Sequence, residues 1–364
     1  MVIWKRVIDM EKSNGTGGYG AIAALLAAFF FGMSAPFSKL LLNGAGPVML
    51  AGLFYLGSFI GLFAFTSIKK ALSREWLKES GLKKWDYLYL AGSIISGGVA
   101  APLFMLYGLS KTTGSIASLL LNVEGVLTAL IAMLIFREQV GRRVWFAAFT
   151  MLLASSLLAY SPGPSGFSLE KGALLVLLSA LMWALDNNLT RELSHRDPVL
   201  IAKYKGLTAG VINLSAAFFI GEGFPGPAYL GGSLVIGALG YGTSLVLFIY
   251  ALRHLGASRT STYFGATPFI GMFLSIIILG ESFTVRLGAA SVLMLAGIWL
   301  ILREYHGHEH THEAFYHEHG HTHDEHHNHN HEGDFFDPHC HEHEHEGLTH
   351  SHAHAPDLHH FHRH

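Results

Sequence analysis

Cys340 is the only cysteine in the chain. That excludes an intramolecular disulfide framework and any CxxC metal site. Charge is almost as scarce over residues 1–305, where 23 Lys and Arg face 14 Asp and Glu, a balance of +9. Only two histidines, His195 and His254, fall in that stretch. A soluble helical bundle would interrupt its apolar runs with charge every turn or so. Also missing are GxxxxGK[ST], HExxH and any DDxxD-like acidic cluster in the apolar runs, which argues against an ATP-driven pump and an intramembrane metalloprotease. Residues 1–18 carry Lys5 and Arg6 but neither an apolar signal core nor a small-residue cleavage site. They predict a short soluble leader.

Residues 306–364 are of another kind, with 23 of the 25 histidines, 12 acidic residues and one Arg, a balance of −11. The near-neutral total charge is therefore a cancellation. His-x-His recurs through His306, His308, His310 and His312, then His317, His319, His321 and His323. His326, His327, His329 and His331 follow, then His339, His341, His343 and His345, and last His350, His352 and His354. Few large apolar residues and high net charge predict a disordered tail. Alternating imidazoles with interleaved carboxylates suit Zn, Ni, Co or Cu ions, in several weak exchanging sites rather than one closed site. The bland alternative is a solvated polar tail or an appended purification tag.

What the first part has in abundance is hydrocarbon. Apolar runs of about 20 residues, the length that crosses ~30 Å of lipid as helix, recur ten times. The expected spans are 20–41, 47–68, 86–110, 115–136, 141–160, 171–190, 198–220, 229–252, 257–279 and 286–303. Turn chemistry separates them at Asn43–Pro47, Ser161–Gly166 and Gly223–Pro227. The halves repeat. Gly108–Tyr160 aligns with Ala251–Arg303 at an offset of 143, and Ala28–Lys39 with Ala180–Arg191 at an offset of 152. With the N-terminus inside, seventeen Lys and Arg collect on the cytoplasmic side, against Lys111, Lys171 and Arg286 outside. Five spans per copy is an odd number, so the second copy enters from the opposite face. An inverted repeat of this kind lets one midplane site open alternately to each side.

Ser261–Pro268, followed by Leu274, Leu279-Gly280-Glu281, Gly288 and Leu295-Ala296-Gly297, resembles the end of the EamA repeat of the drug/metabolite transporter superfamily. The resemblance covers both halves, about residues 20–303, and leaves the tail out. The first copy departs from the pattern: Glu124-Gly125 stand where the second has Thr267-Pro268, and Arg137 replaces the glycine before Glu138. Leu121–Gly125 and Trp183–Arg191 look like a prokaryotic branch of the family. The resemblance implies ten helices, both termini cytoplasmic, and secondary transport of a small organic solute.

Every ionisable group inside a bilayer costs roughly 2.5–3.5 kcal/mol on insertion scales, so each needs a reason. Glu124 falls near mid-membrane, with Asn122 before it and Thr128 one turn on. Such a carboxyl is suited to taking up and releasing a proton; the alternative is a structural acid bonded to a neighbouring helix. Asp186, Asn187, Asn188 and Thr190 place four polar side chains at the end of one span, as a cavity wall or as interhelical glue. Lys203 and Lys205 lie about 200° apart on the next helix. Lys205, the deeper, is expected inward against Asp186, and Lys203 is expected to snorkel. Lys39 reads as an interface anchor. Pro36, Pro102 and Pro268 interrupt spans as hinges or as packing devices, and the carbonyls they free need other partners. Tyr263, Phe264, Trp183 and Phe31 are candidates for stacking on a planar solute, against the ordinary role of core aromatics.

The expected architecture is all-α: a leader (1–18), two inverted five-helix repeats (19–160 and 161–305), and the His-rich tail (306–364). The leading functional expectation is a secondary active transporter of a small organic metabolite in the cell (inner) membrane. No cofactor is required, and nucleic acid is not an expected partner; a homodimer stays open. The alternative is a divalent-metal carrier, or a metal-regulated transporter, that uses the tail. A non-transporting anchor for a metal buffer is the third class.

Overall fold

The computed structural model describes residues 16–72, 81–136, 142–163, 166–193 and 196–302, and in the tail 306–311, 315–321, 339–345 and 349–354. The leader up to Gly15, Arg137, Glu138, His312, His323, His326, His327, His329 and His331 lie outside the described residues. Helices run over Thr16–Gly32 (α1), Ser34–Leu41 (α2), Pro47–Leu72 (α3), Asp86–Ser93 (α4), Ala101–Leu109 (α5), Gly114–Leu120 (α6) and Val123–Phe136 (α7). They continue as Arg142–Ala159 (α8), Lys171–Arg191 (α9), Pro198–Phe219 (α10), Pro227–Ile236 (α11), Ser244–Phe264 (α12), Thr267–Leu279 (α13) and Val285–Leu302 (α14). Between α8 and α9, Tyr160–Gly163 (β1) pairs antiparallel with Gly166–Leu169 (β2).

Among the described residues, six stretches are long and apolar enough to cross a membrane: Gly20–Leu41, Pro47–Ile68, Asp86–Leu109, Gly114–Ile135, Lys171–Arg191 and Pro227–Ala251. Trp145–Ala159, Thr267–Leu279 and Val285–Leu300 are shorter apolar helices, where the sequence predicts full spans over 141–160, 257–279 and 286–303. One boundary is misplaced. Helix was expected to stop at 252 and restart at 257, yet α12 continues to Phe264 and the chain breaks at Gly265-Ala266. Pro268, in the first turn of α13, explains the position, because a missing amide is harmless only there.

The other two span prolines act alike. Pro36 is the third residue of α2, just past the break at Met33, and Pro102 is the second residue of α5. Each opens a helical segment rather than kinking a continuous one. Pro102 leaves the Gly98 carbonyl without its helical donor, and Asn213 Nδ2 fills it at 2.9 Å. Upstream of Pro102, Ile94–Ala100 is π-helical and links α4 to α5; Gly237–Thr243, also π-helical, links α11 to α12. The two π stretches stand 143 residues apart, the same offset that aligns the halves. The break between α6 and α7 at Leu121-Asn122 sits 144 residues before the one at Gly265-Ala266, within one residue of the same offset.

Packing joins the first half to the second. α3 lies along α10, α1 along α12, α8 along α14, α6 along α13, and α9 along both α5 and α7. Gly210 lets α10 approach α3: a Cβ there would stand 2.9 Å from the Leu56 amide nitrogen. At one end of the bundle, carboxylates hold helix starts. Glu281, just past the left-handed Gly280 (φ 67°), accepts from the Gly114 and Ser115 amides at 2.6 and 2.8 Å. Glu222 accepts from the Met49 amide at 2.7 Å. Such caps satisfy amides that open a helix without a partner.

In the tail, four segments have extended backbone where disorder was expected. His306–Thr311 pairs with Thr349–His354, and Phe315–His321 with His339–His345, both antiparallel. The alternation of His-x-His is itself a period-two pattern, which a strand accommodates.

Candidate functional site

The last turns of α9 carry Asp186, Asn187, Asn188 and Thr190, whose side chains meet α4, α7 and α10. Asp186 is buried. Lys205 on α10 contacts Asp186 Oδ2 through Nζ. The other oxygen, Oδ1, accepts from Ser93 Oγ at 2.5 Å and from Thr190 Oγ1 at 3.1 Å. Thr190 reaches it because i and i+4 share a helix face. A buried charge is tolerable only when paired and fully hydrogen-bonded, and both Asp186 oxygens are occupied. Gly97, in the first π stretch, presses on the same carboxylate, and a Cβ there would overlap it. The Gly97 carbonyl accepts from the Tyr55 hydroxyl at 2.5 Å. The π turn thus finds side-chain partners for backbone groups that its irregular ladder leaves open.

The next residue, Asn187, donates through Nδ2 to Glu124 Oε1 at 2.8 Å. Glu124 stands in the first turn of α7, directly after the break at Leu121-Asn122. It is half-buried, while Gly125 and Asn187 are exposed. Asp186 and Lys205 both lie within Coulombic reach of it. Asn188 turns to the backbone, donating to the Ala184 and Thr128 carbonyls at 2.8 and 3.1 Å and tying α9 to α7.

Aromatic rings continue the site towards α1 and α12. Phe31 meets Trp183 edge-on at 5.8 Å between centroids and stacks on Phe264, also at 5.8 Å. Tyr241, in the second π stretch, stacks on Phe54 at 5.4 Å and meets Tyr55 edge-on at 5.4 Å. Phe31 and Tyr241 are 6.1 Å apart, which closes the array.

Of the residues expected at the site, Glu124, Asp186, Asn187 and Lys205 come together. Asn122 does not join them: its Nδ2 donates to Met294 Sδ at 3.6 Å, because the helix break turns it towards α14. Tyr263 is also misplaced, packing among Ala23, Ala24, Ala27 and Leu247, with its neighbour Phe264 in the ring array instead. Lys203 reaches Thr66 Oγ1 at 2.5 Å and lies 5.6 Å from the Phe63 ring, away from Asp186. Lys39, expected as an interface anchor, has backbone partners in the bundle. It donates to the Leu109 and Thr112 carbonyls and so caps α5. Ser93, Tyr55, Phe54 and Tyr241 were not anticipated, since an aromatic or serine inside an apolar run looks like core. Among the described residues no three His, Cys, Asp or Glu side chains converge as for a metal ion.

Comparison with known proteins gives a consistent family. The profile of the EamA-like transporter family matches residues 18–160 and again 170–303. A protein of Methanothermobacter thermautotrophicus named "Uncharacterized transporter" is 30% identical over 295 residues, covering 78% of this chain and 86% of its own. The "Uncharacterized transporter YcxC" of Bacillus subtilis is 24% identical over 306 residues, 79% of this chain and 94% of its own. The "Uncharacterized inner membrane transporter YedA" of Escherichia coli is 23% identical over 172 residues, 46% of this chain and 54% of its own. One solved crystal structure superposes with a TM-score of 0.56 at 15% identity, over 76% of this chain and 94% of the other, which shows the fold alone.

Proposed function

Because the chain belongs to the EamA-like transporter family, we propose that it is a secondary active transporter of a small organic metabolite. It is a multi-pass membrane transporter, not an enzyme. In this reading two inverted five-helix repeats alternate about a site near the midplane, in the inner membrane, with both termini cytoplasmic. Offsets of 143 between the π stretches and 144 between the helix breaks support the two-repeat architecture. So does packing that pairs elements of one half with elements of the other.

The observation that carries the mechanism is Glu124, an acid inside a span held by Asn187 alone among the described side-chain donors, beside an ion pair that is already neutral. A carboxyl in that position can take a proton on one side and release it on the other while the π stretches and broken helices flex. Flux into proteoliposomes under an imposed proton gradient tests this. Glu124→Gln should abolish the gradient-driven flux and leave the protein folded. A normal rate with an unchanged pH profile would make Glu124 structural.

The tail is a separate proposal. His306–His354 binds Zn, Ni, Co or Cu ions as a buffer or sensor on the cytoplasmic side, with no part in the translocation path. A homodimer is compatible with this scheme but not required by it.

A further inference from the structure

The tail strands carry a regularity that the His-x-His repeat alone does not contain. His306–Thr311 runs antiparallel to Thr349–His354, and Phe315–His321 to His339–His345. One register holds throughout, from His306 opposite His354 to His321 opposite His339. In the first ribbon His306 pairs with His354, His308 with His352 and His310 with His350. In the second His317 pairs with His343, His319 with His341 and His321 with His339. Histidine thus meets histidine at three of six positions in one ribbon and three of seven in the other. A slip of one residue either way would leave none of them opposite a histidine.

Little else in the ribbons favours this pairing. A two-stranded hairpin is marginal in water by itself. Phe315 and Tyr316 are the only large apolar residues of the four strands, so burial contributes little. Glu318 stands opposite Glu342, and like charges directly opposite destabilise a ladder. Spacing shows what the pairing does favour. Opposite positions of an antiparallel ladder stand about 4.5–5.5 Å apart at Cα, whereas positions two apart along one strand are separated by about 7 Å. The nearest histidine position to each of these is therefore across the ribbon, not along the repeat. Two imidazoles based that close are able to share one ion, with Zn–N about 2.0–2.1 Å and water completing the shell.

We propose that divalent metal of the zinc class closes the tail into a hairpin, each ion held across the ribbon by one facing pair of histidines. Binding and strand pairing are then a single event, because the ligand pairs exist only when the two runs are in register. Closing brings His354 back beside His306, four residues past the end of α14 at Leu302. Metal therefore switches the tail between an open chain and a closed ribbon at the exit of the last helix. This rests on the metal-binding reading of the tail above and adds its coordination and its conformational effect.

The test titrates the full chain in nanodiscs with Zn²⁺ alone and counts bound ions against a chromophoric chelator. One variant carries His306→Ala, His308→Ala and His310→Ala; a second carries His350→Ala, His352→Ala and His354→Ala; a third carries all six. Each triple variant should lose the three ions of the first ribbon relative to the parent, and the sixfold variant should lose no more. Chelation within one run would instead make the losses add, the sixfold variant losing about twice as many ions as either triple. That result overturns the hairpin and leaves a metal-binding tail standing. A parent chain that binds no Zn²⁺ overturns both. The conformational effect has its own readout. Gly307 and Ala353 are register partners outside the histidine positions. Spin labels at Gly307→Cys and Ala353→Cys, with Cys340→Ser, should give one short distance with Zn²⁺ and a broad, longer distribution in chelator. The same distribution in both conditions overturns metal-driven closure.

Discussion

Lys205 and Asp186 meet across the α9–α10 contact with both side chains only 9% exposed, and Ser93 and Thr190 occupy the carboxylate oxygen that Lys205 leaves free. Removing one partner strands a buried charge, which costs about 3–5 kcal/mol; replacing both with apolar residues of similar volume is often near neutral. Lys205→Met or Asp186→Leu alone should therefore destabilise strongly, and the double variant should recover most of the loss. Unfolding of the purified variants in detergent measures this. A double variant no more stable than the singles would mean that Ser93 and Thr190, rather than the charge pair, govern the contact.

Gly97→Ala is expected to damage the same cluster from the opposite side, because its Cβ would overlap the Asp186 carboxylate. Overpacking of this sort costs about 1–3 kcal/mol. Gly125→Ala is the control, since nothing stands within 4 Å of a Cβ there. Thermal melts of the two variants should differ by several degrees, with Gly125→Ala close to the parent. Equal melting temperatures would show that the π stretch yields without cost.

Much of this arrangement could be read from residue patterns, and the exceptions have physical reasons. The choice between Lys203 and Lys205 followed from their angular separation and depth, and the structure pairs Lys205 with Asp186. The 143-residue offset that aligns the halves in sequence also separates the π stretches. Asn122 was misjudged because helical spacing was assumed through Leu121-Asn122, where the helix breaks. The carbonyl partners of Lys39, Leu109 and Thr112, were not legible because they lie about 70 residues away in sequence. Tyr55 and Tyr241 gave no signal at all. Their role depends on which rings the folded bundle brings together, and local sequence does not encode that.

Topology offers a test independent of the site. With five crossings between the leader and the turn Pro162–Gly166, and five more before the tail, that turn and the C-terminus should lie on opposite sides of the membrane. A sidedness reporter inserted at the turn and another fused after His364 would establish it. Both reporters on one side would overturn the inverted five-plus-five arrangement.

The tail can be separated from transport by deletion. Imidazoles must be neutral to ligate, so metal binding by His306–His354 should be full at neutral pH and fall below about pH 6 as the rings protonate. Removing residues 306–364 should abolish bound Zn, Ni, Co or Cu, measured by mass spectrometry of the purified protein. Solute flux should be unchanged, because the described site draws on residues of the span helices alone. Lost flux together with lost metal would instead favour a metal-regulated transporter. Metal content unchanged by the deletion would remove the tail from the metal proposal and return attention to the bundle, where the described residues form no such cluster.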